Sequence, residues 1–351
     1  MRIAIVNDLR MAQELLRRAV SQMPDASVAW TALDGREALE QCKRDVPDLI
    51  LMDMVMPVMD GAVATRAIMK ECPCPILVVT STIEGNLSLV YESLSAGAID
   101  AVHTPQMAQD GTITGVDALV RKSRIACAAA ASLAQSRNTT AVSSSDSSVS
   151  RETTATISSA RTPTLAIGSS TGGPHALSVV LSGLSNHAAH CTLIVQHIDI
   201  HYSAGLAAWL TLETKKPVRV AADGDALDPG QILLAATEDH LVVQGGRVRY
   251  VREPASQIYR PSVDALFHSI ARESALSGVA VLLTGMGRDG AEGLRALRSA
   301  GWQTIAQDQA TSVVWGMPGA AVALGAASHV LPLDSIASAA SRAFAKPVTA
   351  S

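Results

Sequence analysis

The chain has 351 residues, 48% of them hydrophobic but only 3% aromatic, and a formal charge of −4 from 28 basic and 32 acidic side chains. That length allows two domains with cores built from Ala, Val, Leu, Ile and Met, and the weak acidity argues against a nucleic-acid-binding surface. No apolar run approaches the length of a membrane span, Asn7 and Asp8 come too early for a signal peptide, and five scattered cysteines (Cys42, Cys72, Cys74, Cys127, Cys191) without a CxxC pair point to a reducing compartment.

Arg2 to Val6 reads as a buried strand ending in Asn7-Asp8, and apolar residues at helical spacing from Leu9 to Met23 predict a helix after it. The alternation continues with a strand from Val28 to Leu33, a helix from Asp34 to Cys42, a strand from Asp48 to Asp53 and a helix beginning at Asp60-Gly61. A strand from Ile76 to Thr80, a helix over 86–96, a short strand from Ala101 to Thr104 and a last helix from Asp117 to Ala131 follow. This pattern predicts a parallel sheet covered on both faces. In such sheets ligands bind beyond the carboxyl ends of the strands, which here carry Asp8, Asp53 and Thr80. Two carboxylates and a hydroxyl could hold a hard divalent cation, leaving one carboxylate to accept a phosphoryl group; acids that merely end strands in water are the plainer alternative.

The run Asp53-Met54-Val55-Met56-Pro57-Val58-Met59-Asp60-Gly61 closely resembles the phospho-acceptor stretch of response-regulator receiver domains, over about residues 1–122. The resemblance implies a flavodoxin-like domain with a five-stranded parallel sheet and phosphorylation of Asp53 by a histidine kinase. It also implies Mg²⁺ held by Asp8, Asp53 and the backbone carbonyl of Val55, with Thr80 as the switch hydroxyl that contacts the phosphoryl group. Three positions depart from the pattern: Asn7 replaces a second acid, Thr104 a lysine and Ala101 a common switching aromatic. The first change weakens the metal site, and the second removes a cation that would pair with phosphoryl oxygens.

From about Ser132 to Thr162 the periodicity is lost and the sequence turns to Ser, Thr and Ala. Such a segment cannot bury enough apolar surface to order itself, so the end of the last helix and a flexible tether are expected over 123–162.

Beyond the tether, Leu165-Ala166-Ile167 leads through Gly168-Ser169-Ser170-Thr171-Gly172-Gly173-Pro174 into a helical pattern from Ala176. A serine on such a strand–turn–helix has an exposed hydroxyl with backbone N–H groups beside it, the parts of an acyl-transfer site. A phosphate-cradling loop is the rival reading, although the stretch lacks the Gly-Lys-Ser/Thr ending of a P-loop and does not fit GxGxxG. An apolar run from Cys191 to Val195 ends in Gln196-His197, and a helix is predicted from Ser203 to Leu212. Apolar Ile232 to Ala236 precedes a hairpin turning at Gly245-Gly246, between His240–Val243 and Val248–Val251. A helix from Ser262 to Ala275 precedes a buried strand, Val279 to Leu283, that ends in Thr284-Gly285-Met286-Gly287-Arg288-Asp289-Gly290. Further α/β units follow through Leu294–Ser299, Thr304–Ala306 and Met317–Leu324. A mainly parallel, doubly wound α/β sheet with an antiparallel flank is expected over 163–347. Ser169 or Ser170, His197 and Asp289 stand at the ends of three apolar runs and could converge as a Ser–His–Asp constellation. Singly, each could equally be a core, surface or turn residue.

Gly168-Ser169-Ser170-Thr171-Gly172-Gly173-Pro174, Val195-Gln196-His197, Tyr259-Arg260-Pro261-Ser262-Val263-Asp264, the Thr284 to Gly290 run and Trp315-Gly316-Met317-Pro318 resemble the protein-glutamate methylesterases of bacterial chemotaxis-type pathways, the CheB family. With the order receiver, linker, catalytic domain, the resemblance covers essentially the whole chain. It implies Ser170 as nucleophile, His197 as general base, Asp289 as the acid that orients it, and the N–H groups of Thr171 and Met286 as the oxyanion hole, with no cofactor for the esterase chemistry. The implied substrate is a γ-glutamyl methyl ester on a methyl-accepting chemoreceptor, with glutamine deamidation as a second reaction and phosphorylation as the control. The implied protein is a cytoplasmic monomer that binds no nucleic acid and inserts in no membrane. Ala235-Ala236-Thr237 replaces a more usual Ala-Pro-Gly, in a loop rather than the triad. Two readings of other classes stand beside this one: a non-enzymatic scaffold whose degenerate receiver binds a kinase or receptor, and a nucleotide-binding protein, which the missing phosphate-binding lysine disfavours.

Overall fold

The computed structural model describes residues 1–80, 87–108, 112–124, 126–127, 162–185, 189–198, 200–253, 259–273 and 276–345. The chain divides into two compact units, one within residues 1–135 and one within 136–351. Nearly all of the expected tether, and the continuation of the last N-terminal helix through Ala128–Ala131, lie outside the described residues. Among those residues no helix is long and apolar enough to cross a membrane.

In the N-terminal unit, β1 (Arg2–Val6), β2 (Ser27–Ala32), β3 (Leu49–Met52), β4 (Ile76–Thr80) and β5 (Asp100–His103) form one parallel sheet in the order β2-β1-β3-β4-β5. This is the flavodoxin-like arrangement. The connecting helices are α1 (Arg10–Ser21), α2 (Gly35–Arg44), α3 (Gly61–Glu71) and α4 (Leu87–Ser95), with α5 (116–124) after the sheet. β3 and β4 are buried along their whole length, and so is β1 after Arg2, as strands covered on both faces must be. The Asp-Gly pairs start helices for a physical reason: Asp34 accepts the Arg36 and Glu37 N–H groups, and Asp60 accepts that of Val63 at 2.8 Å. A hairpin of β6 (Gln106–Met107) and β7 (Ile113–Thr114) was not legible in the sequence pattern.

In the C-terminal unit, β8 (Thr162–Ser169), β9 (Cys191–Gln196), β10 (Val218–Val220) and β11 (Ile232–Leu234) join β14 (Leu276–Leu282), β15 (Gln303–Gln307) and β16 (His329–Leu331). The seven strands are all parallel, in the order β10-β11-β9-β8-β14-β15-β16. The antiparallel element, β12 (His240–Gln244) with β13 (Arg247–Val251), is a separate two-stranded sheet. The helices are α6 (Gly173–Gly183), α7 (Ile200–Thr214), α8 (Val263–Arg272), α9 (Ala291–Ser299), α10 (Met317–Ala323) and α11 (Leu333–Ala345). Leu193, Val195, Leu266, Phe267, Ala280, Leu282 and Leu294 are fully buried in the core that seats α8 and α9. β8 lies between β9 and β14, so the strand order reverses there, and the carboxyl ends of these three strands open onto one crevice.

Candidate active site

The carboxyl end of β8 turns sharply into α6. The Ser170 N–H donates to the Thr284 carbonyl at 3.0 Å, and the Ser170 carbonyl accepts the Gly173 N–H at 2.8 Å. Gly172 has φ +77°, and a Cβ on Gly173 would lie 1.9 Å from Gln196 Oε1, so neither position tolerates a side chain. Buried Gln196 braces this turn. Its Oε1 accepts from Ser169 Oγ at 2.6 Å, and its Nε2 donates to the carbonyls of Ser170 and His197 at 2.8 and 3.1 Å. Ser169 is therefore fully buried with its hydroxyl committed, whereas Ser170 is partly exposed.

His197 follows β9, its N–H donating to the Ser169 carbonyl at 3.0 Å. Its Nε2 donates to Asp289 Oδ2 at 2.8 Å, which leaves the lone pair on Nδ1; that atom is buried without a hydrogen-bond partner among the described residues. The Tyr259 ring stacks on the imidazole with centroids 4.4 Å apart and planes 6° from parallel. Asp289 also accepts Ser262 Oγ at 2.8 Å, the Val263 N–H at 2.7 Å and the Asp264 N–H at 3.0 Å, all at the start of α8. Burial pushes its carboxyl up, but the hydrogen bond and charge of His197 and the helix N–H groups together hold it below the usual carboxylate range.

The loop after β14 passes over Ser170, because a Cβ on Gly285 would come 2.7 Å from Ser170 Cβ. Thr284 Oγ1 donates to the Thr171 carbonyl at 2.9 Å and accepts the Val314 N–H at 2.9 Å, tying the two turns together. The backbone N–H groups of Thr171 and Met286, next in sequence to Ser170 and Gly285, donate to no protein group among the described residues. The structure thus brings Ser170, His197, Asp289, Thr171 and Met286 to one crevice. The roles of Gln196, Tyr259 and Asp264 were missed in the sequence. Ser262 alone carried a local signal, as a serine N-cap whose Oγ accepts the Ala265 N–H at 3.2 Å.

In the N-terminal unit β1 and β3 run in register, Val6 beside Met52, so Asn7 and Asp53 emerge side by side. Asp53 Oδ2 accepts Asn7 Nδ2 at 2.9 Å and Oδ1 accepts the Met54 N–H at 2.7 Å. Burial, together with the negative charge of Asp8, pushes the Asp53 carboxyl up to about 6 against the opposing pull of the Met54 and Val55 N–H groups. Asn7 thus supplies a donor where a second acid would add charge. Thr80 is buried at the end of β4, and the N–H of buried Thr104 donates to its carbonyl at 3.0 Å. No three His, Cys, Asp or Glu side chains form a metal cluster among the described residues. The neighbouring carboxylates of Asp8 and Asp53, with the Val55 carbonyl nearby in the chain, are an oxygen set that fits a hard divalent ion rather than a transition metal.

Residues 165–340 match the CheB methylesterase family and residues 3–112 the response regulator receiver domain. The chain is 44% identical over 348 residues to protein-glutamate methylesterase/protein-glutamine glutaminase 1 of Bordetella avium, covering 99% of this chain and 98% of that protein. It is 45% identical over 338 residues to protein-glutamate methylesterase/protein-glutamine glutaminase 3 of Pseudomonas aeruginosa, covering 96% and 98%. Among solved structures, the CheB methylesterase catalytic domain of Thermotoga maritima is 32% identical, with a TM-score of 0.48, covering 53% of this chain and 99% of that one.

Proposed function

The chain belongs to the CheB methylesterase family, and on that premise we propose that it is a phosphorylation-regulated protein-glutamate methylesterase acting on methyl-accepting chemoreceptors. The observation that carries the reading is the His197–Asp289 hydrogen bond of 2.8 Å, which leaves a buried, unpartnered Nδ1 in the crevice of Ser170.

Ser170 Oγ attacks the ester carbonyl carbon while His197 Nδ1 takes its proton. Asp289 keeps Nε2 protonated and stabilises the imidazolium that forms. The carbonyl oxygen, now an oxyanion, is received by the N–H groups of Thr171 and Met286. Collapse of the tetrahedral intermediate breaks the bond to the methoxy oxygen, which takes the proton from His197 and leaves as methanol. Water then attacks the acyl-enzyme with His197 again as base, releasing glutamate and restoring Ser170. A glutamine side chain enters the same cycle with ammonia as the leaving group.

In the N-terminal unit Asp53 is the acceptor for a phosphoryl group from a histidine kinase, and Thr80 is the switch hydroxyl. Asp8, Asp53 and the Val55 carbonyl would hold Mg²⁺, which when bound supplies positive charge against the crowded carboxylates and the phosphoryl oxygens. The upward push on the Asp53 carboxyl by burial and by the negative charge of Asp8 supports that assignment.

The test uses the full-length protein and a methylated receptor. Wild type should release methanol and remove the methyl groups, seen by mass, and a fluorophosphonate should label the peptide bearing Ser170. Absence of both would leave the non-enzymatic scaffold as the reading.

A further inference from the structure

Two carboxylates cap helices at this site, and they do so crosswise. Asp289 precedes α9, yet it accepts the first N–H groups of α8, those of Val263 and Asp264. Asp264 lies in the first turn of α8, yet its Oδ1 accepts the Gly293 N–H in the first turn of α9 at 2.6 Å, and the Gly290 N–H also bonds its carboxyl. The first N–H groups of any helix need acceptors from outside. Gly290, the N-cap of α9, has no side chain to offer, so Asp264 stands in for it. The two helices are pressed together, since a Cβ on Gly293 would lie 2.6 Å from Phe267 Cβ and 3.1 Å from Asp264 Oδ1. Burial, opposed by the Gly293 N–H and aided by the negative charge of Asp289, pushes the Asp264 carboxyl up to about 6.

We propose that Asp264 is a positioning residue of the esterase: by anchoring Gly290 and Gly293 it fixes the far end of the loop that carries Met286 and Asp289. This rests on the assignment of Ser170, His197 and Asp289 as the triad. Asp264 touches no reacting atom and acts through Asp289, which holds His197. The charged groups facing it are Asp289 from the loop and Glu292 from α9, both acidic, with His197 one hydrogen bond further on. When the Asp264 carboxyl takes up a proton it loses an acceptor, and wild type then matches a variant with a neutral side chain at this position.

The experiment measures kcat and KM for receptor demethylation by full-length wild type, D264A, D264N and S170A. D264A should lower kcat about tenfold or more with KM within about twofold, as a displaced catalytic loop does. D264N should recover part of the loss, because its amide oxygen still accepts one N–H. The ratio of wild-type to D264N kcat should be largest at neutral pH and fall towards one below about pH 6, where the wild-type carboxyl is neutral too. A wild-type to D264N ratio of one at neutral pH, or wild-type kcat in D264A, would overturn the proposal. If D264A does not fold, the D264N ratio decides alone. Full activity in S170A would instead overturn the triad assignment, whereas an inactive S170A with an unaffected D264A removes only the role of Asp264.

Discussion

Each unit places a carboxylate beyond the carboxyl end of a central strand, Asp289 buried and Asp53 half-buried, and the surroundings push the two in opposite directions. Asp289 accepts four donors, one of them the imidazole of His197 and two from the start of α8, and is held below the usual carboxylate range. Asp53 accepts the Asn7 amide and the Met54 N–H, faces Asp8, and is pushed up to about 6. Both positions lie beyond the carboxyl ends of parallel strands, Asp53 directly after β3 and Asp289 in the loop between β14 and α9, so the side of the sheet does not separate them. The supply of donors does. One carboxylate is finished by the protein and orients a base; the other is left short of positive charge, which a cation and phosphoryl chemistry can supply. On the proposed assignments, a fixed catalyst and a chargeable switch thus follow from one architecture.

The fixed site breaks most completely when its own atoms are removed. Ser170→Ala and His197→Gln should each lower receptor demethylation by about a thousandfold or more, as loss of a triad nucleophile or base does elsewhere. Ser169→Ala should stay within about tenfold, because that hydroxyl only braces Gln196 and the turn can persist without one neutral hydrogen bond. The reverse outcome for the two serines would mean that the nucleophile has been misassigned.

The strands that carry these residues were legible because fully buried parallel strands are unbroken apolar runs, as in Ile3–Val6, Leu49–Met52 and Val279–Leu282. β10 and β16 escaped notice because each has three residues and partial exposure, which gives neither an apolar run nor a period. At the site, residue types at strand ends pointed to Ser, His and Asp, but the choice of Ser170 over Ser169 came from the family resemblance. Ser169 is buried and Ser170 partly exposed, a difference that no local pattern encodes. The crosswise capping by Asp264 and Asp289 was illegible because it depends on the packing of α8 against α9.

The opposed carboxyl shifts within the C-terminal unit sharpen the comparison through stability. Asp289, depressed in the folded state, contributes stability that is full above the unfolded carboxylate value near about pH 4 and is lost as pH falls through its lower folded value. Asp264, pushed up to about 6, acts the other way: the folded state holds its proton more tightly, so stability falls as pH rises from about 4 to 6. Asp264→Asn should therefore gain on wild type by roughly 2 kcal/mol between pH 4 and pH 7, on the scale of about 1.4 kcal/mol per pKa unit. Denaturant unfolding followed at Trp209, Trp302 and Trp315, apart from Trp30 of the N-terminal unit, measures the difference. A gap that ignores pH would mean that folding leaves the Asp264 carboxyl at its unfolded value, and a gap of opposite slope would mean that it is as well compensated as Asp289.

The chargeable site should break when it loses a carboxylate. Asp8→Asn leaves Asp53 intact but removes half of the charge proposed to hold Mg²⁺, so phosphorylation of Asp53 by acetyl phosphate should slow about tenfold, the cost of a tenfold-weaker ion site in subsaturating Mg²⁺. EDTA should erase phosphorylation of wild type while leaving hydrolysis of a small ester unchanged. A metal-independent phosphorylation rate would remove the distinction between the two carboxylates.

The smallest effect is expected from Thr104→Lys. β4 and β5 pair with Thr80 beside His103, and the Thr104 N–H then bonds the Thr80 carbonyl, so position 104 lies one step past the pair at the carboxyl end of the sheet. A lysine rooted there would supply the cation that Asp53 lacks and could form charge-assisted hydrogen bonds with phosphoryl oxygens once they are present. Burying its stem costs little, because aliphatic stems pack while the ammonium seeks its partner. Activation of the esterase by acetyl phosphate with Mg²⁺, taken as a ratio to the untreated protein, should rise about twofold to fivefold over wild type, roughly the 0.4–1 kcal/mol of a partly solvated ion pair. The untreated activity should stay unchanged, since Ser170, His197 and Asp289 do not depend on position 104. An unaltered ratio would mean that Thr80 alone carries the response. Loss of phosphorylation would mean that the new cation occupies Asp53 and displaces Mg²⁺, so that adding the missing donor turns the switch into a finished site like that of Asp289.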